Sequence, residues 1–328
     1  MKTILTTGEK KWISTAAQTI KSGGIVAFPT ETVYGLGADA KNADAIKSVF
    51  EAKGRPQDNP LICHVSSYEE LLEIAYDDNG IAKKLVDAFS PGPLTLVLRK
   101  KDIIPDTVTA GLSTVAVRIP NHPIALSLIK ESGCPIAAPS ANTSGRPSPT
   151  TAEEVFEDMN GKIPQIIDGG KCDVGIESTV LDISGEIPVI LRPGLITAED
   201  LLKCIDNVQL FRGRVISAAP APGMKYRHYA PKCDMVLSES ADETLKLYND
   251  AIKKGLKPII LAKGENISKY TEKNYIDMGF SEEELAYNLY TALRTAEKQG
   301  DFIISETVDD SGVGYSVMNR MRKAASIK

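Results

Sequence analysis

Apolar and polar positions follow two rhythms along this chain, and each change of rhythm marks an element. Residues 9–22 and 42–53 carry apolar side chains at helical spacing; in the second stretch Ile46, Val49 and Phe50 fall on one face. Short apolar runs bounded by turn residues read as buried strands: GGIVAF at 23–28, LICHV at 61–65 and PIAAPS at 135–140. LTLVLRK at 94–100 and STVAVRIP at 113–120 are alternating strands rich in β-branched residues. Further helices fall at 69–75, 80–89, 122–131 and 151–158, and IIDGG, STVLDI and VILRPG read as short strands joined by turns. Strands and helices mix without a strict βαβ rhythm, which predicts an α/β domain on a mixed sheet. The second half is more regular. A strand at 235–240, a helix at 243–253, a strand at 258–262, a helix at 281–299, a strand at 302–308 and a helix at 313–325 predict a smaller, largely parallel α/β domain.

Composition alters this picture in one place. Hydrophobic residues are 42% and charged residues 25%, as in ordinary globular chains. No run of eighteen apolar residues and no secretory leader pattern is present, so neither a membrane span nor export is expected. Cys63, Cys134, Cys172, Cys204 and Cys233 are scattered without CxxC spacing; reduced thiols in a cytoplasm are the simplest reading. Residues 1–210 hold 20 basic and 27 acidic side chains, residues 211–232 hold 5 basic and no acidic ones, and residues 233–328 hold 13 and 16. The net charge of −5 argues against a general nucleic-acid coat protein. It also isolates one basic segment, FRGRVISAAPAPGMKYRHYAPK, between the two expected domains. Its prolines make it a poor helix or central strand, so it reads as a linker or as a basic, aromatic flap closing over an anionic ligand. The expected division is 1–210, a linker flap at 211–232, and 233–328.

Arginine placement is the first chemical signal. Residues 1–210 contain fifteen lysines but five arginines, and four of these stand one or two residues before a proline: Arg55, Arg118, Arg146 and Arg192. A residue directly before proline is pushed out of the helical region. Arginine grips phosphate or carboxylate with two parallel hydrogen bonds, so this placement points to ligand binding. There is no GxxxxGK[ST] phosphate loop. The GxGxxA string at 35–40 is separated from the preceding strand by Pro29–Val33, which argues against a dinucleotide fold; PTETVYGLG reads as a turn lining a pocket. KGRPQDNP gathers Lys53, Arg55 and Asn59, and PSANTSGRPS forms a hydroxyl-rich loop able to nest an anion. Ser178 and Arg192 stand at strand termini, where open α/β sheets hold ligands. His64, alone among apolar neighbours, reads as a satisfied core residue.

The strings GGIVAFPTETVYGLGADA, KGRPQDNPLICHV, FSPGPLTLVL, VAVRIPNHP, PIAAPSANTSGRPSPT, ESTVLD, ILRPG and PGMKYRHYAP occur in that order. Together they resemble the YrdC-like family in its two-domain form, the L-threonylcarbamoyladenylate synthases, over nearly the whole chain. The resemblance implies a YrdC-like twisted mixed-sheet domain followed by a smaller α/β domain. It also implies a cytoplasmic nucleotidyltransferase making threonylcarbamoyl-AMP and pyrophosphate from L-threonine, bicarbonate and ATP. Separate transfer machinery then modifies the tRNA adenosine beside the anticodon; direct tRNA contact is expected to be weak. The implied threonine pocket is Thr32, His64, Arg118, Ala138 and Ser178, with Arg118 facing the carboxylate. The implied nucleotide site is Arg55, Asn59, Thr114, Ser140, Ser148, Arg192 and Tyr226, with Lys53 and Arg55 catalytic near the phosphates. Ser113 competes with Thr114, and Tyr229 with Tyr226. Mg²⁺ is expected to arrive with ATP, held by phosphates and water without a protein cage. Residues 221–231 are expected to fold over the nucleotide and exclude water. Two other readings stand beside this one. An RNA-binding module is weakened by the acidic charge of residues 1–210. Carbamoyl transfer in hydrogenase maturation is weakened by the absence of CxxC pairs.

Overall fold

The computed structural model describes residues 2–211 and 228–327. These divide into two compact units. The first holds residues 2–144, 149–173 and 177–211; the second holds Gly145–Ser148, Val174–Ile176 and residues 228–327.

The strands of the first unit are β1 (Ile4–Thr7), β2 (Val26–Phe28), β3 (Gly35–Asp39), β4 (Ile62–His64), β5 (Leu94–Arg99), β6 (Thr114–Arg118), β7 (Ile136–Ala138), β8 (Gln165–Asp168), β9 (Thr179–Asp182), β10 (Val189–Arg192) and β11 (Gln209–Leu210). They form one sheet in the order β1-β8-β2-β3-β7-β4-β6-β5-β9-β10-β11. Pairing is mixed: β4 runs parallel to β6 but antiparallel to β7, and β5 runs antiparallel to β6 but parallel to β9. The expected mixed α/β sheet is therefore present. One expectation fails within it. Gly35–Asp39, read as part of a turn, is a buried strand paired with β2 and β7. The glycines explain why. A Cβ on Gly35 would lie 3.2 Å from the Phe28 ring, and one on Gly37 would lie 2.5 Å from Ile136, so these two positions leave little room for a side chain.

Strand alternation splits the apolar side chains between two faces. Cys63, Leu96, Val117, Ala137 and Leu181 join the large core, together with Ile46, Val49 and Phe50 of the helix Ala43–Lys53. The opposite face has two smaller clusters. At one end, Phe28, Ile136, Ala138 and Ile167 pack under helices Lys10–Lys21 and Pro123–Ser132. At the other, Ile62, Val97, Ala116, Val180 and Leu191 pack together. Helix Ala43–Lys53 begins where the Asn42 side chain accepts from Asp44 N and Ala45 N, a cap worth about 1 kcal/mol. It ends where Gly54 takes a left-handed φ of 61°, which turns the chain out of the helix straight after Lys53.

In the second unit, β12 (Asp234–Ser238), β13 (Pro258–Ala262), β14 (Tyr275–Asp277) and β15 (Phe302–Glu306) form a separate parallel sheet in the order β12-β15-β13-β14. Helices Ala241–Lys253, Glu282–Gln299 and Gly312–Ala324 belong to the same unit. This matches the smaller α/β domain read from the sequence. β14 escaped that reading because three residues, two half-buried and one exposed, carry too little pattern.

Candidate active site

Register alone assembles one edge of the site. His64 is the Cα partner of Arg118, and Arg118 is the partner of Thr95. All three project from the face that carries the two smaller clusters, because Ile62, Ala116 and Val97 stand two residues away from them. Parallel pairing of β5 with β9 brings Ser178, just before β9, to the same edge, and antiparallel pairing with β10 adds Arg192.

Side-chain contacts tie this edge together. Arg118 donates from Nε to Gly92 O at 3.2 Å and from Nη1 to Thr32 Oγ1 at 2.8 Å. Its Nη2 lies 2.7 Å from Glu31 Oε2, with both side chains about 5% exposed or less. Thr32 Oγ1 is 2.9 Å from Thr30 Oγ1. Thr95 Oγ1 lies 2.8 Å from Ser178 Oγ. Arg192 donates to Ser178 O from Nε at 3.1 Å and from Nη2 at 3.0 Å, and to Ser178 Oγ at 3.2 Å. Thr32, His64, Arg118 and Ser178, inferred for the threonine pocket, thus share one edge, and Arg192, inferred for the nucleotide site, stands at that same edge on Ser178. Glu31 and Thr95 were missed. Thr95 left a signal, being a polar residue among the apolar positions of β5, whereas Glu31 left none beyond standing next to Thr32.

Electrostatics follow from burial. Burial first, and the Arg118 charge second, push His64 down to about 3, so its ring is neutral at pH 7. Nδ1 lies 3.3 Å from Ile136 O. A carbonyl only accepts, so the proton sits on Nδ1 and Nε2 remains an acceptor. Burial raises the Glu31 carboxyl, but Arg118 and local hydrogen bonding outweigh it and hold the group below the usual carboxylate range. The His64 shift has a measurable consequence. Its folded value lies below the ordinary 6.5, so the unfolded chain protonates first. His64 therefore contributes stability above about pH 6.5 that drains away as pH falls toward 3. His64→Gln should flatten this dependence by up to about 1.4 kcal/mol per pH unit in urea unfolding compared at about pH 6 and about pH 4. Parallel curves for variant and wild type would show that His64 is not buried neutral.

The other edge lies at the opposite ends of the same strands. Continuing the β4 register sets Pro60 beside Thr114 on β6 and Ser140 beyond β7, and Gly35 bridges Ser140 directly. Thr114 shares a face with Arg118, while Ser113 points the other way into solvent. Four residues of strand separate Thr114 from Arg118, about 13 Å. Arg55 Nη2 lies 3.4 Å from both Asn59 O and Pro60 O. The Asn59 amide is buried, and neither Oδ1 nor Nδ2 has a hydrogen-bond partner. Lys53, 2% exposed, donates to Ser140 O and Asn142 O at 2.5 Å each, and Ser140 Oγ donates to Asn142 Oδ1. Ala138 lies between the edges, in register with Ile62.

The remaining inferred nucleotide residues are Ser148 and Tyr226. Ser148 is buried in the Gly145–Ser148 segment of the second unit. Tyr226, with most of the 221–231 flap, lies outside the described residues. Its competitor Tyr229 is buried in the second unit, its ring 5.2 Å from that of Tyr290. Among the described residues there is no group of three or more His, Cys, Asp or Glu placed to hold a metal ion, and no helix long and apolar enough to cross a membrane.

The fold and site thus define an α/β protein with two polar edges, cationic at both, on one sheet face. Comparison with known proteins narrows this. The Sua5/YciO/YrdC family profile, described as "Telomere recombination", matches residues 18–194, and a profile described as "Threonylcarbamoyl-AMP synthase, C-terminal domain" matches residues 196–326. The threonylcarbamoyl-AMP synthase of Pyrococcus abyssi is 46% identical over 97% of this chain and 96% of its own length. That of Bacillus subtilis is 46% identical over 95% of this chain and 92% of its own. The crystal structure of P. abyssi Sua5 complexed with L-threonine superposes with a TM-score of 0.92 at 45% identity, covering 99% of this chain and 98% of that one. Escherichia coli YciO, at 22% identity and a TM-score of 0.54 over 61% of this chain, shares the fold. The chain belongs to the Sua5/YciO/YrdC family, in the two-domain form of the threonylcarbamoyl-AMP synthases.

Proposed function

We propose that this chain makes L-threonylcarbamoyl-AMP and pyrophosphate from L-threonine, bicarbonate and ATP, and that separate cytoplasmic machinery passes the threonylcarbamoyl group to the tRNA adenosine beside the anticodon. The observation that carries this reading is the pair of polar edges on one face, about 13 Å apart by strand rise. The Arg118 edge suits an amino-acid carboxylate and the Lys53–Arg55–Ser140 edge suits phosphates. The P. abyssi relative that holds L-threonine supports the first assignment.

The chemistry asks for positioning rather than a protein nucleophile. The neutral threonine amine attacks the carbon of CO2 or bicarbonate and gives a carbamate; its proton passes to solvent in the CO2 case and leaves with the departing hydroxide as water in the bicarbonate case. A carbamate oxygen then attacks the α-phosphorus of ATP, the bond to the bridging oxygen breaks and pyrophosphate departs. Arg118 fixes the carboxylate, Nε2 of neutral His64 accepts a hydrogen bond, and Lys53 holds the Ser140–Asn142 turn against the phosphates. Mg²⁺ enters with ATP as part of the substrate, held by phosphates and water, and offsets triphosphate charge. Held in register, the reactants avoid much of the entropic barrier, at best about 7–11 kcal/mol.

The test omits ATP, threonine or bicarbonate one at a time and detects the adenylate by mass. Product should require all three, and product without threonine would overturn the reading. An RNA-binding module would release no pyrophosphate. Asn59→Ala adds a residue-level check. Its amide has no partner to lose, so the melting temperature should hold or rise, while the KM for ATP should rise about tenfold.

A further inference from the structure

We infer that Glu31 is the positioning residue that aims the Arg118 guanidinium, setting the affinity for the substrate carboxylate without touching substrate; this rests on the threonine reading above. Three observations carry it. First, Glu31 is enclosed: both carboxylate oxygens are shielded from solvent, so it acts through a neighbour. Second, that neighbour is Arg118, 2.7 Å away. The contact is an ion pair between two enclosed charges. A buried carboxylate is a net cost to the fold unless its counter-charge stays in place. Third, the remaining Arg118 partners account for only part of its capacity. A guanidinium has five N–H groups. One points to Gly92 O, one to Thr32 Oγ1 and one faces Glu31, which leaves two for an incoming carboxylate.

The three holds approach from different parts of the chain. Gly92 O takes Nε, Thr32 takes Nη1, and Glu31 draws Nη2 by charge. Thr32 is itself pinned by Thr30, whose hydroxyl donates to Val33 O at 2.7 Å. Glu31 is therefore the charged element of a frame formed by Thr30, Glu31 and Thr32. Carboxylate recognition by arginine depends on both N–H groups lying in one plane with the acceptor. Losing the charge at Nη2 frees the fork to rotate and lowers that selectivity.

The test compares two ligands by calorimetry, L-threonine and L-threoninamide, which lacks the carboxylate. Glu31→Gln keeps size and removes charge. It should lower the preference for threonine over threoninamide about tenfold, the measure of a charge-assisted hydrogen bond, while the KM for ATP stays within about twofold. Glu31→Asp, which keeps the charge but withdraws it by one methylene, should fall between and remains usable if Glu31→Gln folds poorly. Equal loss for both ligands, or an unchanged preference, overturns the inference. If wild-type protein binds no threonine at all, it is the functional reading that fails instead.

Discussion

Arg118→Ala is expected to cost about 3–5 kcal/mol of stability, besides abolishing measurable threonine binding, because it leaves Glu31 buried without its counter-charge. Against a typical total of about 5–15 kcal/mol, that is enough to leave a marginal protein. Combining the change with Glu31→Gln should recover much of the stability and none of the binding, since a neutral amide needs no opposite charge. The pH dependence gives the sign. In the wild type the Glu31 carboxyl is held below its ordinary value, so the pair contributes stability above that range and loses it as pH falls. In Arg118→Ala the counter-charge is gone and burial, the largest influence, raises the folded-state value, so the penalty is largest at neutral pH and fades on acidification. The gap between wild type and variant should therefore narrow between about pH 7.5 and about pH 5 in urea unfolding. A gap of constant size would mean that the ion pair is not what the substitution removes.

Long elements were legible in the sequence because their apolar spacing is repeated several times. The helix expected at 42–53 is Ala43–Lys53, and that expected at 281–299 is Glu282–Gln299. The arginines beside proline were informative for a physical reason: at Arg118 and Arg192 the chain leaves the sheet, so each side chain stands at a strand end. Arg146 departs from that pattern, being ion-paired with Glu297 within the second unit. Strand order was not legible. β7 lies between β3 and β4, and β9 beside β5, and strands of three to six residues carry no record of such distant partners. β3 was hidden because the residues that let it pack, Gly35 and Gly37, are those that usually signal a turn. The Glu31–Arg118 pair joins residues 87 positions apart, and only register plus loop geometry brings them into contact.

Lys53→Met is expected to lower kcat/KM for ATP by about 10²–10³, the range seen when one preorganised donor is removed from an active site, with threonine affinity little changed. Methionine matches the length of lysine but supplies no donor. Ser140 O and Asn142 O would both lose the ammonium now 2.5 Å away, and a buried polar group left unsatisfied costs about 1–3 kcal/mol. The chain can lessen that cost only by moving the 140–142 turn, which carries the Ser140 hydroxyl off the phosphate edge. Lys53→Arg should not rescue activity, because a planar fork does not fit a slot shaped for a compact ammonium that is 2% exposed. Arg118 stands at the far edge, about 13 Å along the strands, so calorimetric threonine binding isolates the two effects. Comparable losses in threonine affinity and in ATP turnover would show that the edges are not separate, and the division of the face into an amino-acid end and a phosphate end would have to be abandoned.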